Sequence, residues 1–152
     1  MLPGRSSDLM QALKPALLAA YEASGRASAV LNTSSIAGVK GIGSSVAYAA
    51  SKGALNTMTV SLARALAPAV SVNAVCPGFI GTRWFKNEMD ETTYAETVRK
   101  VEASTPLSVA SGPDDIADAA LFFVSDAARH VTGELMLVDA GLHLGKSPVN
   151  AK

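Results

Sequence analysis

Tyr48 and Lys52 stand four residues apart in Tyr48-Ala-Ala-Ser-Lys52, and the serine pair Ser34-Ser35 lies thirteen to fourteen residues upstream. On a helix, residues i and i+4 share a face, so the phenol and the ammonium project side by side. A free phenol titrates near pH 10 (about), too high for ready proton exchange near neutrality, and a neighbouring cation favours the phenolate. A serine hydroxyl beside that pair can hold a carbonyl or alcohol oxygen. These types and spacings describe proton transfer to or from a C–O group. The same spacing also fits a solvated lysine on an alanine-rich helix with a tyrosine against the core, so the surrounding sequence must decide.

The elements that would position these residues alternate between strand and helix. Leu9 to Ser24 reads as a helix, with Gly25 placed for a left-handed C′ position, and Pro15 either kinks its early part or marks its true start. Ala29 to Thr33 is a short apolar strand, and residues 34–45, rich in Ser and Gly, read as a loop. A long helix from Val46 to Leu66 carries Tyr48 and Lys52. Leu55, Met58, Leu62 and Leu66 form its apolar stripe, while Ala49, Ala50, Gly53 and Ala54 allow another element to approach closely. Pro68 ends it, and residues 70–75 form the next strand, followed by Pro77-Gly78. Gly81-Thr-Arg-Trp-Phe-Lys-Asn87 is a glycine-marked, then aromatic segment in which Trp84 and Phe85 either line an apolar pocket or anchor the loop. A polar helix follows from Asp90 to Ala103, then a last helix from about Ser111 to Ser125 with Asp114 and Asp115 at the positive end of its dipole. Glu134 to Val138 is the final strand, and residues 145–152 read as a disordered tail. Strands alternating with helices imply an α/β fold with a parallel sheet.

Composition bounds the function. Apolar residues make up 49% and charged residues 17%, with a formal net charge of zero, which offers no electrostatic footing for nucleic acid or an anionic membrane. No apolar run approaches the roughly 18 residues of a membrane span, and the first residues do not read as a signal peptide. The single cysteine, Cys76, suits a reducing cytoplasm and reads as a small buried residue at a strand end. His130 and His143 lie apart in sequence and suggest surface or tail roles and no metal site.

Three further segments decide the reading of the Tyr-Lys pair. Ala29-Val-Leu-Asn-Thr-Ser-Ser-Ile-Ala-Gly38, Val72-Asn-Ala-Val-Cys-Pro-Gly78 and Gly133-Glu-Leu-Met-Leu-Val-Asp-Ala-Gly141, in this order around Tyr48 and Lys52, resemble the short-chain dehydrogenase/reductase family from about Leu9 to Leu142. The resemblance implies a partial Rossmann-like, doubly wound fold in which strands at about 29–33, 70–75 and 134–138 are contiguous neighbours at one side of a larger parallel sheet. It implies an NAD(P)-dependent oxidoreductase interconverting an alcohol and a ketone or aldehyde. Tyr48 would be the general acid or base, and Lys52 would lower its pKa and bind the nicotinamide ribose. Ser35, thirteen residues before the tyrosine, would hold the substrate oxygen. In Pro77-Gly-Phe-Ile-Gly-Thr82, the Ile80 backbone and the Thr82 hydroxyl would contact the nicotinamide carboxamide, with Pro77 and Gly78 shaping the turn. Asp139-Ala-Gly141 departs from the family's usual Asp-Gly-Gly. Family members commonly pair into dimers or tetramers.

The sequence also departs from that pattern. Family members are usually much longer than 152 residues and open with a Thr-Gly-x-x-x-Gly-x-Gly turn that cradles the cofactor pyrophosphate, which is not found here. Gly38-Val-Lys-Gly-Ile-Gly43 follows the serine loop and reads as active-site loop. Met10-Gln-Ala-Leu-Lys-Pro15 matches the family's fourth large helix, but Leu2 stands where a relay asparagine is usual, and Leu2 to Asp8 reads as turn-rich. The expectation is a truncated, carboxyl-terminal half: residues 1–8 a divergent junction, 9–144 the catalytic part, and 145–152 the tail. The residue that separates NAD from NADP is not in this chain. The free edge of the first strand is then an aggregation hazard. The competing expectation is a non-catalytic remnant or oligomerisation module that binds no cofactor by itself.

Overall fold

The computed structural model describes residues 5–145. The expectations for Leu2 to Gly4 and for the tail beyond Gly145 fall outside them. Three strands, β1 (Ser28–Thr33), β2 (Val70–Pro77) and β3 (Leu135–Val138), form one parallel sheet in the order β1-β2-β3. The register pairs Val30 with Val72 and Thr33 with Val75 on one side, and Ala74 with Leu135 and Pro77 with Val138 on the other. β2 is therefore the central strand, and its residues are almost continuously buried, as a parallel strand covered on both faces requires. The three strands are those expected, with β1 starting at Ser28, β2 running on to Pro77 and β3 starting after Glu134.

Helices cover both faces. On one, α1 (Arg5–Ser24) and α3 (Val46–Leu66) bring Met10, Ala63 and Leu66 against Val70 and Val72. On the other, α6 (Pro113–Val124) packs Ile116 and Phe123 against Val75. That arrangement is the doubly wound α/β fold.

Several local expectations are corrected. The first helix begins at Arg5, so residues 5–8 are helical, and Pro15 lies inside it without marking its start. An interior proline costs about 3 kcal/mol. Met10 is buried, and Leu17, Leu18 and Tyr21 pack against the same cluster. Each such side chain is worth up to about 1.5–3 kcal/mol, so tertiary packing outweighs the lost hydrogen bond. The loop at 34–45 contains a helical turn, α2 (Ala37–Lys40), and the aromatic segment contains α4 (Arg83–Glu88). The polar helix α5 spans Glu91–Ser104, capped by the Asp90 carboxylate on Thr93 N at 2.9 Å.

The buried stripe of α3 also differs from the apolar one. Asn56, Thr59, Ala63 and Leu66 are buried, whereas Leu55, Met58 and Leu62 are only partly so. Two polar residues hold core positions because each has a partner across the sheet: Asn32 Nδ2 donates to Thr59 Oγ1 at 2.9 Å, and Ser34 Oγ to Asn56 Oδ1 at 2.5 Å. Of the small residues on α3, Gly53 receives the expected close neighbour, α2, while Ala50 and Ala54 are exposed. A Cβ on Gly38 would stand 2.5 Å from the Lys52 carbonyl carbon, so α2 and α3 meet backbone to backbone where only glycine fits.

Candidate active site

The residues singled out in the sequence come from three segments: the end of β1 (Ser34, Ser35), the first two turns of α3 (Tyr48, Lys52) and the chain after β2 (Pro77 to Thr82). In a parallel sheet the strand ends lie on one side, where α/β folds place their ligands. Ser34 N donates to Val75 O at 2.8 Å and Ile36 N to Pro77 O at 3.0 Å, fastening the first segment to the third.

α3 starts where Ser45 caps it, the serine hydroxyl accepting from Tyr48 N at 3.1 Å. That cap places Tyr48 in the first turn, 38% exposed, with its ring beside Gly43, where a Cβ would lie 3.3 Å from the ring. The Tyr48 hydroxyl makes no hydrogen bond among the described residues. Lys52 Nζ stands 5.8 Å from the centre of the Tyr48 ring and donates to the Thr33 carbonyl at 2.9 Å.

The two serines part company. Ser34 turns its hydroxyl into the core, towards Asn56 and, at 3.3 Å, the Lys52 carbonyl. Ser35 is buried and its oxygen accepts from Ala37 N at 3.1 Å. Its proton has no acceptor among the described residues and is free to be donated. Geometry thus favours Ser35 as the hydroxyl that can serve a ligand.

The chain after β2 is held tightly. A Cβ on Gly78 would lie 2.8 Å from Asp139 Cβ, so the Pro77-Gly78 turn presses on the end of β3. Ile80 bridges Ser111, Gly81 N donates to Ser111 O at 2.8 Å, and Thr82 N to Ile80 O at 2.8 Å. Thr82 stands at the N-terminus of α4, and its hydroxyl caps nothing. Phe85 is wedged between Phe79, at 4.9 Å, and Trp84, at 4.7 Å. Trp84 itself is 64% exposed, so Phe85 anchors the segment and Trp84 offers an open apolar surface.

Other residues take places that sequence reasoning missed. His143 is no surface or tail residue: Asp139, buried at the end of β3, holds its Nδ1 at 2.9 Å and accepts from His143 N at 2.8 Å and Gly141 N at 3.0 Å. His130 is exposed. Cys76 is buried; desolvation pushes its thiol above the ordinary 9.0, and the sulfur lies 3.8 Å from Asn56 Oδ1. Asn56 would have been legible only as a polar residue falling on the buried stripe of α3. Two clefts, of about 370 and 350 Å³, lie elsewhere; neither is lined by Ser35, Tyr48 or Thr82. No group of three or more potential metal ligands occurs among the described residues, and no helix there is long and apolar enough to cross a membrane.

A parallel sheet with helices on both faces defines a Rossmann-like α/β protein. Comparison with known proteins agrees. A family model described as enoyl-(acyl carrier protein) reductase matches residues 7–143, and the chain belongs to the short-chain dehydrogenase/reductase family. It is 46% identical over 115 residues to a Streptomyces violaceoruber protein described as ketoacyl reductase 2 of the granaticin polyketide synthase, covering 76% of this chain and 44% of that one. A solved short-chain dehydrogenase/reductase structure from Burkholderia xenovorans shares 40% identity with a TM-score of 0.73, over 90% of this chain and 51% of that one. The structure of ElxO with NADP bound shares 26% identity with a TM-score of 0.74, over 89% and 52%. The chain thus spans about half the length of each of these relatives.

The family implies a nicotinamide cofactor. The donors present fit its nicotinamide end: the unbonded Thr82 hydroxyl, the Lys52 ammonium and the unbonded Tyr48 phenol all lie on segments at the carboxyl edge. The glycine-rich pyrophosphate turn is not found in this sequence.

Proposed function

We propose that this chain carries the catalytic half of an NAD- or NADP-dependent oxidoreductase that interconverts a small-molecule alcohol and its ketone or aldehyde. The observation that carries the proposal is the state of the polar groups at the carboxyl edge. Tyr48 is partly exposed and its hydroxyl is unengaged, with Lys52 Nζ 5.8 Å from its ring, and Ser35 keeps a proton to give. The cofactor, when bound, supplies or accepts the hydride. In the reducing direction Tyr48 Oη delivers a proton to the carbonyl oxygen, and in the oxidising direction it takes one back. Ser35 donates a hydrogen bond to that oxygen and steadies the charge that develops on it. Lys52 reaches the ribose, leaving Thr33 O to do so. Ile80 and Thr82, on the Pro77-Gly78 turn, address the carboxamide. Trp84 favours an apolar substrate. Cytoplasmic location and assembly into dimers or tetramers accompany this reading.

A second reading is favoured by one observation: the residues in this sequence include no glycine-rich pyrophosphate turn. It makes the chain a non-catalytic member that binds no cofactor by itself and serves in assembly. Titration of the purified chain with NADH and NADPH, followed by fluorescence and calorimetry, separates the two. Micromolar binding, with reduction of an apolar ketone, supports the enzyme. A folded sample that binds neither cofactor supports the assembly role.

A further inference from the structure

Asn56 sits one helical turn beyond Lys52 and is buried at 6% exposure, yet it belongs to none of the groups assigned above. Its side-chain oxygen meets two hydrogens from two different strands. Ser34 Oγ donates to it at 2.5 Å from the end of β1, and Cys76 Sγ stands 3.8 Å away at the end of β2. Burial keeps the Cys76 thiol protonated, so the sulfur has a hydrogen to give and the amide must present its oxygen, not its nitrogen, to the pair.

Each contact is one step from a residue of the candidate site. Ser34 precedes Ser35, Cys76 precedes Pro77, and Asn56 is four residues from Lys52 on the same helix face. The Ser34 hydroxyl also lies 3.3 Å from the Lys52 carbonyl. One amide oxygen thus joins the three segments whose relative placement sets the distances among Ser35, the Tyr48–Lys52 pair and the Pro77-Gly78 turn. An apolar residue here would serve packing as well, and it would leave the buried Ser34 hydroxyl without its shortest partner.

We propose that Asn56 is a positioning residue: its side-chain oxygen, shared by Ser34 and Cys76, fixes α3 against the ends of β1 and β2 and so holds Lys52 at the carboxyl edge of the sheet. The role rests on the oxidoreductase reading for its catalytic consequence, but its structural content stands apart from turnover and can be read without it.

The experiment compares the wild-type chain with Asn56→Ala, Asn56→Asp and Ser34→Ala. Two readouts need no activity. Cys76 is the only cysteine, so its S–H infrared stretch reports one bond. Acetylation of Lys52, mapped by mass spectrometry against Lys86 and Lys100 in the same sample, reports how firmly Lys52 is held. Asn56→Ala is expected to shift the S–H band towards the free-thiol frequency and to raise Lys52 acetylation relative to the other two lysines. Asn56→Asp, which keeps an acceptor oxygen, restores both. Ser34→Ala raises Lys52 acetylation with the S–H band still lowered, and it supplies the test should Asn56→Ala fail to fold. Where the chain turns over, Asn56→Ala lowers kcat about tenfold or more with little change in KM for the cofactor. An S–H band that moves while Lys52 acetylation stays put makes Asn56 a packing residue and overturns the proposal; so does a band that does not move. Absence of turnover in the wild type, with both other readouts moving as expected, refutes the oxidoreductase reading and leaves the placement of Lys52 by Asn56 standing.

Discussion

Tyr48 and Cys76 show how differently two weak acids fare within one site region. Tyr48 is 38% exposed and its hydroxyl is unengaged, whereas Cys76 is fully buried, its sulfur beside Asn56 of α3. General acid–base groups contribute about 10²–10⁴-fold to rate, so Tyr48→Phe is expected to lower carbonyl reduction by that range, measured at saturating cofactor. Retained activity would assign the proton to another group. Cys76 carries no such role, and its consequence is for stability. The folded protein holds the thiol proton more tightly than the unfolded chain does, because burial penalises the thiolate. Its stabilising contribution is full below the unfolded thiol's value near 9.0 and is lost as pH rises from there through the folded value. Cys76→Ala should flatten that alkaline loss, read as the difference in urea midpoints between about pH 8 and about pH 10. An equal loss in both proteins would place the alkaline sensitivity elsewhere.

At the scale of elements, α2 exists to be lain upon. Gly38 touches the backbone of Lys52 and Gly53, so any side chain there must push α2 off the helix that bears the tyrosine and lysine. Gly38→Ala is expected to destabilise the fold by about 1–3 kcal/mol, the usual range for overpacking, and to lower activity more than its loss of stability accounts for. Thermal melting alongside kcat at a temperature well below the transition checks both. Such a short helix could not be read from sequence, because four residues do not sustain a helix without tertiary support; α4 escaped notice for the same reason. The Val46–Leu66 helix was legible end to end, since Ser45 caps it and the residue before Pro68 turns extended. Its buried stripe was less so: hydropathy finds Leu66, but only the partners across the sheet make room for Asn56 and Thr59. Tyr48, Lys52 and the Ser34-Ser35 pair stand out as candidates by type and spacing, and the family resemblance alone singles out Ser35. The Asp139–His143 pair does not stand out, for it depends on the turn that β3 makes after Val138.

For the molecule as a whole, the sheet is completed on one side of β1 only. Ser28 N donates to Ala69 O, just before β2, and Ser34 N to Val75 O on it, and with a two-residue period the N–H and C=O groups of Ala29, Leu31 and Thr33 face the other way. No strand takes them up among the described residues, and Ala29 and Thr33 are exposed. Lys52 Nζ occupies one of these groups, the Thr33 carbonyl, which ties the open edge to the candidate site. The chain spans about half the length of the relatives it matches. An edge of six parallel residues with an apolar centre invites pairing with another chain, and natural edges are commonly protected by charge, lysine above all. The purified chain should therefore self-associate as its concentration rises, and Ala29→Lys should shift that association to higher concentration without lowering the melting temperature, because Ala29 is exposed. Sedimentation velocity over a concentration series reads the shift. Unchanged association in the variant would assign it to the other apolar groups that stand open, Leu9 and Leu13 on α1 or Val46 and Val60 on α3, and would point to helix pairing in place of strand pairing.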